Sequence, residues 1–346
     1  MDGTRHAAVR TIACAALIAS AAFAVASCHK WKSAAKAPPS LREIASGTTC
    51  GEARPCEPGE PRNARITLPE YRFSSAALDA LDPASNMPMK IVVDASRVTV
   101  VGDPYPIANV PKDPALGLAA DDKAQGRDDR FVTPLFQALT GAREAVDAGA
   151  DEDLAVASFD PKHSVIILAD RATPYRLLTE VLFTASMAGL SSFYLAVTSN
   201  GAVGTVSLPR TGGGRQSRYF HPATPSLFRY AWGGNAVPAQ LGLRLGAKGI
   251  EIAVGDNLVA KGCNGVGEGP AIPRTPSGEL DFKALAACAK KIHDETKDKD
   301  SEARVGAEAG VPFGDIVTAM DAIHGDASTG TLYDAVWFTV SEGVLP

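Results

Sequence analysis

The stretch ADRATPYRLLTEVLFTASMAGL, residues 169–190, has a counterpart later in the chain, AEAGVPFGDIVTAMDAIHG, residues 307–325. In both, an apolar run ends in an alanine and an acidic residue, and a short loop leads to a proline, an aromatic residue and an amphipathic segment. Proline suits the first turn of a helix, because the N–H that it lacks would have no partner inside the helix there. Both stretches therefore predict the end of a strand, a loop and a helix.

The residues around the two stretches follow the same larger order. In the first unit, MKIVVDASRVTVVG (89–102) predicts two strands around a tight turn, apolar residues then recur at helical spacing, and SVIILAD (164–170) and SSFYLAVTSN (191–200) predict strands. In the second unit, LGLRLGAKGIEIAVGDNLVAKG (241–262) predicts two or three strands with a Gly-Asp-Asn hairpin turn. Each unit is predicted to run strand, strand, helix, strand, helix, strand.

The composition is that of a globular protein with room for two domains. Of the 346 residues, 45% are hydrophobic and 21% are charged. The formal net charge is −5, which argues against a nucleic-acid partner, because such partners are bound by basic surfaces.

The N-terminal segment up to Cys28 has the pattern of an exported lipoprotein. Arg5 and Arg10 precede the uncharged run TIACAALIASAAFAVAS, and small residues lead to Cys28. This order is typical of a secretory signal peptide, and the residues before Cys28 resemble the lipobox of bacterial lipoproteins. The resemblance implies cleavage before Cys28 and acylation of that residue. An uncleaved signal anchor is the alternative, although the run is shorter than the roughly 20 residues that span a bilayer.

The cysteines are consistent with export to an oxidising compartment. One of the six would leave with the signal peptide and Cys28 would carry lipid, which leaves Cys50, Cys56, Cys263 and Cys288. Four cysteines allow three pairings, and their spacing favours Cys50–Cys56 and Cys263–Cys288. A zinc site is the alternative, but the spacing does not match one. We therefore predict no metal and no cofactor.

The shifts in composition divide the chain into five parts. A stretch rich in Ala, Pro, Ser, Lys and Glu is typical of a tether, and a glycine- and proline-punctuated stretch is typical of a linker. The predicted parts are a signal peptide (1–27), a flexible tether (28–64), a first domain (65–208), a linker (209–238) and a second domain (239–346).

The order of elements in both domains resembles the periplasmic domain of the ExbD/TolR family of biopolymer-transport proteins. In that family an apolar strand ends in an alanine and an acidic residue, and a loop leads to an aromatic-led helix. Ala169-Asp170 and Tyr175 match in the first domain, and Ala307-Glu308 and Phe313 match in the second. Together the two domains cover about three quarters of the chain.

The resemblance implies an α+β fold: two tandem two-layer domains, each with two helices packed on one face of a mixed β-sheet. It also implies partners in the cell envelope, either ExbB/TolQ-like motor proteins, outer-membrane components or peptidoglycan. Family members carry a transmembrane helix with an aspartate that takes part in proton flow, but no acidic residue lies between Arg10 and Cys28 here. The sequence therefore departs from the family at the residue that a motor role requires.

The acidic residues of the repeated stretch, Asp170 and Glu308, are candidates for a paired acid and base. We interpret them as structural, because each precedes a helix whose N-terminal dipole favours a carboxylate. Signatures of a nucleophile elbow, a zinc protease and a phosphate-binding loop are absent from the sequence. TGGGR (211–215) is interpreted as a hinge, with anion binding as its alternative, and RYFHPATPSLFRYAW (218–232) as a recognition surface or a seal between domains. We predict no enzymatic activity.

The sequence as a whole predicts a lipid-anchored periplasmic adaptor or binding protein of the cell envelope. His29, rather than aspartate, follows the lipidated cysteine, which by enterobacterial sorting favours the outer membrane over the inner one. A homo-oligomer is compatible with this prediction, and the lipid anchor is its contact with the membrane. The alternative is a periplasmic protein that binds a small ligand in the cleft between its two domains.

Overall fold

The structure is a computed structural model that describes residues 49–50, 54–55, 66–71, 89–101, 107–126, 129–149, 163–199, 201–208, 241–255, 257–296, 302–326, 330–333 and 335–338. Near the start of this part, β1 (Thr49–Cys50) and β2 (Arg54–Pro55) form a short antiparallel pair.

The first domain contains a mixed sheet of six strands. In chain order they are β3 (Met89–Val93), β4 (Arg97–Val100), β5 (Ala108–Asn109), β6 (Ser164–Ala169), β7 (Ser192–Ser199) and β8 (Ala202–Ser207). Their spatial order is β5-β4-β3-β6-β7-β8. β6 runs parallel to both β3 and β7, and the remaining pairs are antiparallel.

The second domain repeats this arrangement. Its strands are β9 (Leu241–Gly246), β10 (Gly249–Val254), β11 (Asn257–Leu258), β12 (Ile272–Pro273), β13 (Glu302–Ala307), β14 (Gly325–Asp326), β15 (Gly330–Thr331) and β16 (Ala335–Phe338). The sheet order is β11-β10-β9-β13-β16, with β12 also paired to β10, while β14 and β15 form a separate two-stranded pair. β13 runs parallel to β9 and β16, as β6 does to β3 and β7.

Four α-helices complete the described parts of the two domains. They are α1 (Thr133–Gly149) and α2 (Tyr175–Met187) in the first domain, and α3 (Phe282–Thr296) and α4 (Phe313–His324) in the second. The inward stripes of all four helices belong to one hydrophobic core together with one face of each sheet. The predicted α+β class, with two helices packed on one face of a mixed sheet in each domain, is confirmed.

β6 is buried on both faces, which explains why its sequence is a continuous apolar run rather than an alternating one. Val165 and Ile167 pack in the core beneath the helices. Ile166 and Leu168 face the other side, where they form a second cluster with Ile66, Leu68 and their neighbours. The segment at residues 66–71 therefore covers the outer face of the first sheet.

Two tight turns connect the first three strands of the second domain. A hairpin between β9 and β10 turns at Ala247 and Lys248, and the predicted Gly-Asp-Asn turn is confirmed, because it joins β10 to β11 as an antiparallel hairpin. Gly249, immediately after the first turn, has a φ of 136°, a conformation that residues other than glycine rarely adopt. The short β11 follows the second turn, because Gly255 (φ 60°) folds the chain back there.

A disulfide joins Cys263 to Cys288, with their Cα atoms 5.8 Å apart. Cys288 lies on the buried stripe of α3 with Leu285 and Ile292. This is the pairing that the spacing favours. For the other predicted pair, Cys56 and the side chain of Cys50 lie outside the described residues, so that pairing stays a prediction.

No helix in the described part of the chain is long and apolar enough to cross a membrane.

The disulfide is expected to stabilise the second domain by about 3 kcal/mol, because it links residues 25 positions apart and closes a loop that consists largely of glycine- and proline-rich chain. Replacing Cys263 by serine together with Cys288 by alanine should lower the free energy of unfolding by about that amount in urea titrations. Peptide mapping without reduction checks the bond itself. Two alkylatable thiols in the folded, oxidised protein would contradict it.

Candidate functional site

The two copies of the repeated stretch pair with each other. Pro174 and Pro312 form an antiparallel bridge. The N–H of Tyr175 donates to the carbonyl of Val311 (2.8 Å), and the N–H of Phe313 donates to the carbonyl of Thr173 (2.7 Å). When Pro174 is aligned with Pro312, each of these bonds is the counterpart of the other, so the two copies are related by a local two-fold.

A second pair of hydrogen bonds obeys the same alignment. The N–H of Arg176 donates to the carbonyl of Ala309 (3.0 Å), and the N–H of Gly314 donates to the carbonyl of Arg171 (2.8 Å). The first N–H groups of a helix have no partner within it. The N-cap residues of α2 and α4 are the two prolines, and neither makes a side-chain capping bond. Each helix is therefore capped by the loop of the other copy.

Tyr175 and Phe313 fix this junction from the inside. Both side chains are fully buried in the core shared by the two domains. Sequence reasoning recognised both copies but not their pairing. The available signal was proline at both N-caps, where serine, threonine or aspartate usually supplies the missing acceptor.

Asp170 and Glu308, the acidic residues of the repeat, have a different structural role from the predicted interaction with helix dipoles. Asp170 accepts hydrogen bonds from the N–H groups of Thr67 (2.7 Å) and Ala172 (2.8 Å), and Glu308 accepts one from the N–H of Ala247 (2.8 Å). The helices begin only at the fifth residue after each acid, so these carboxylates fasten neighbouring loops rather than cap α2 and α4. Both carboxylates accept their hydrogen bonds from backbone amides of loops.

A buried ion cluster lies beside α2. Glu180 accepts bonds from the Nζ of Lys123 (2.6 Å), the Nε of Arg176 (2.6 Å) and the N–H of Leu118 (2.7 Å). The side chains of Glu180 and Lys123 are fully buried, and that of Arg176 is 11% exposed. Lys123 and Leu118 belong to the loop after β5, whose turn at Pro114–Leu116 lies against α2. This loop is thus held to the helix by charge.

An open cavity of about 360 Å³ lies beside α4, on the other side of the junction. It is lined by Pro69, Glu70, Arg171, Ala172, Pro312, Gly314, Asp315, Thr318 and Asp321. The first four of these belong to the first domain and the others to the second. Three carboxylates and one guanidinium make this lining acidic. The cavity lies between the two domains, which is where the alternative prediction places a small ligand.

Among the carboxylates of the cavity, Asp315 lies in a partly desolvated setting, whereas Glu70 is exposed. Burial raises the pKa of Asp315, although the nearby guanidinium groups of Arg274 and Arg171 oppose this rise. Burial also raises the pKa of Tyr71, with a further contribution from the charge of Asp321. The ring of Tyr71 packs edge-on against His324, with centroids 6.5 Å apart. These contacts join the covering segment at residues 66–71 to the end of α4.

Replacing Asp315 by asparagine is expected to raise the Tm at neutral pH by up to about 2 °C. An acid whose pKa is raised on folding binds its proton more tightly in the folded state, so stability falls as the pH rises from its unfolded pKa of about 3.9 through the folded value. The variant loses this dependence, and the difference should vanish in acid. Asp294→Asn is the control of opposite sign, because a hydrogen bond from Lys290 lowers the pKa of Asp294.

Several residues singled out in the sequence lie outside the described residues. They include Cys28, Cys56, residues 211–215 and residues 218–232. Within the described ranges, no group of three or more His, Cys, Asp or Glu side chains is arranged to hold a metal ion. His293 and His324 lie near the ends of α3 and α4, where the ring of each lies edge-on to a tyrosine.

No model of a protein family matches the chain, and a search of curated proteins finds no match.

Proposed function

We propose that this protein is a lipid-anchored binding protein on the periplasmic side of the cell envelope, in which two tandem ExbD/TolR-like domains act as an adaptor. The observation that supports it best is the reciprocal capping of α2 and α4 by the two copies of the repeat. A pairing of two similar domains is built into one chain, so the chain carries a fixed body with an acidic cavity at its junction. An exported body of this kind suits binding better than catalysis.

The proposed partners are cell-envelope components: an ExbB/TolQ-like motor, an outer-membrane protein or peptidoglycan. A motor role of its own is not proposed, because residues 11–27 contain no acidic residue. Catalysis is not proposed either, because Asp170 and Glu308 are engaged by backbone amides. The protein is expected to bring partners together rather than to transform them.

Affinity purification of the tagged, lipidated protein from crosslinked native envelopes tests this proposal. Envelope proteins or peptidoglycan fragments should be recovered with the wild type. The Cys28→Ser variant is the matched control, since it keeps both domains and loses the proposed anchor. Recovery of neither class of partner across several crosslinkers would contradict the adaptor role.

The lipid anchor makes a prediction of its own. With Cys28 as the first residue, carrying lipid, the protein should fractionate with membranes, because two or more acyl chains hold a protein firmly to a bilayer. Cys28→Ser should move nearly all of it to the soluble periplasm or leave an unprocessed precursor. Mass spectrometry of the mature N-terminus checks the modification. An unmodified Cys28 in the mature wild-type protein would exclude the anchor.

A second candidate function is the binding of a small ligand. The cavity supports it, because about 360 Å³ lies within the size range of ligand sites and its walls come from both domains. A thermal-shift screen with cationic and neutral envelope metabolites tests this candidate. A ligand present at 100 times its Kd should stabilise the protein by about 2.7 kcal/mol, and a screen without any shift would count against it.

A further inference from the structure

The local two-fold of the junction relates the cavity beside α4 to an equivalent place beside α2, and that second place is filled. Beside α2 that place holds the loop after β5. Leu118 and Lys123 of this loop bind Glu180, and the Cβ of Ala115 lies 3.5 Å from where a Cβ on Gly310 would be. Gly117, with a φ of 81°, lets the backbone pass so close to Glu180 that an added Cβ would collide with the carboxylate. The first domain thus seats a short turn of its own chain against its helix.

The alignment of Pro174 with Pro312 gives the equivalent positions beside α4. Gly310, Glu180 and Arg176 surround the seated turn, and their counterparts are Ala172, Thr318 and Gly314. All three counterparts line the cavity. The cavity is therefore the equivalent, beside α4, of the position beside α2 at which the first domain holds its own turn. Beside α4 this position is open.

The corresponding loop of the second domain follows a different path. Ile272 pairs with Ile250 of β10, and Cys263 is bonded to Cys288 of α3. The charge of Arg274, from this loop, acts on Asp315. The guanidinium of Arg274 donates hydrogen bonds to the carbonyls of Gly246, Ala247 and Gly278. This loop is bound to its own sheet and helix.

Both places carry carboxylates, although not at equivalent positions, since Thr318 stands where the first domain has Glu180. The filled place satisfies a buried carboxylate with a lysine of the seated turn. Among the described residues that line the open place, Glu70, Asp315 and Asp321 stand against one cation, Arg171. A carboxylate in partly desolvated surroundings gains most from an ionised donor, which forms a short charge-assisted hydrogen bond.

We infer that the cavity receives a short turn of a partner protein that carries a lysine or arginine, in the manner in which the loop after β5 is held against α2. The inference rests on the proposed adaptor role and names the chemistry of one of its partners. The basic side chain meets the carboxylates of Asp315 and its neighbours, and the turn backbone lies along Ala172 and Gly314, which line the cavity.

The chain itself supplies a probe. A labelled synthetic peptide with the sequence of residues 112–125, in which Asp113, Asp121 and Asp122 are replaced by asparagine, carries its charge on Lys112 and Lys123. It is titrated with the full mature protein by fluorescence anisotropy. We expect saturable binding that weakens with salt, because the contacts are ionic and partly exposed. A peptide with both lysines replaced by glutamine is the control ligand.

Protein variants locate the binding. Thr318→Glu places a carboxylate where Glu180 stands in the first domain, and it should tighten binding about tenfold or more. Asp315→Asn should weaken it several-fold. Glu251→Gln, which removes a carboxylate that faces Arg244 on the second sheet, should leave it unchanged. Because one variant gains and the other loses, a general loss of folding cannot imitate the pattern.

Three results would overturn the inference: no saturable binding of the basic peptide, equal binding of the lysine-free peptide, or affinities that neither Thr318→Glu nor Asp315→Asn changes. If crosslinked envelopes still yield partners in that case, the adaptor role stands and the cavity is not its peptide site. If the peptide binds as expected and the envelopes yield nothing, the site stands and the envelope role fails.

Discussion

Replacement of Glu180 by alanine is expected to lower the free energy of unfolding by about 3–5 kcal/mol. The carboxylate receives bonds from Lys123, Arg176 and the backbone of Leu118, and its side chain is fully buried. Its removal leaves the buried ammonium of Lys123 without this ionised partner, and desolvated charge of that kind is costly. The measurement is a urea titration followed by circular dichroism, analysed against the wild type.

Glu251→Ala is the matched control for this prediction. Glu251 also pairs with an arginine, Arg244, but its side chain is 31% exposed and that of Arg244 is 26% exposed. A partly exposed surface pair of this kind contributes about 0–1 kcal/mol. If both alanine variants lower the free energy of unfolding by the same amount, the burial of the Glu180 cluster does not matter for stability. The loop after β5 is then held by something other than this charge.

Replacement of Phe313 by alanine is expected to cost about 3–5 kcal/mol, because removal of a fully buried aromatic side chain loses its transfer free energy and leaves a cavity behind. The effect should also cross the junction. The loop that precedes Phe313 caps α2 through the carbonyls of Val311 and Ala309. Loosening that loop in the second domain should therefore expose amides of the first.

Hydrogen exchange read by mass spectrometry separates this prediction from a purely local one. The amides of Tyr175 and Arg176 should exchange faster in Phe313→Ala than in the wild type, although the substitution lies in the other domain. Met187→Ala is the control, since Met187 is 56% exposed at the end of α2 and should change stability by no more than about 0.5 kcal/mol. Unchanged protection of α2 in Phe313→Ala would show that the reciprocal caps do not couple the domains.

The duplication has a consequence beyond stability. Two copies of one fold meet at a local two-fold, and the loops that follow their first hairpins differ. The loop after β5 seats itself against α2 through Lys123, whereas the loop after β11 is bound by a disulfide to α3. The difference between two loops on paired copies leaves one of two equivalent places open, which a symmetric pair could not do.

Much of the fold was predictable from local pattern. The apolar run SVIILAD, the helical spacing after Pro174 and Pro312, and the order of elements within each unit all depend on residues close to one another in sequence. Such short-range patterns report the period of a helix or strand and the face that it buries. The disulfide between Cys263 and Cys288 was also predictable from the sequence. In a two-layer domain the end of a strand and the inward stripe of the following helix are neighbours.

The site depended on contacts that no local pattern encodes. Asp170 and Glu308 were interpreted through the dipoles of the helices that follow them, yet each carboxylate fastens a loop far away in sequence, 103 residues away in the case of Asp170 and Thr67. The Glu180 cluster joins residues 57 and 62 positions apart. Which polar groups meet across such distances is decided by how the layers pack, and no periodicity in the sequence carries that information.

The sequence by itself thus determined the main elements and their doubled order, because burial of an apolar face follows from spacing, and the family resemblance that it carries implied the α+β class. It is also the sole basis for the predicted signal peptide and for acylation of Cys28. Only the tertiary structure decided that the two repeats cap each other and that the cavity lies between them. Backbone amides and carbonyls carry no sequence signature, and their pairing between the loops before Tyr175 and Phe313 exists only once both domains have folded.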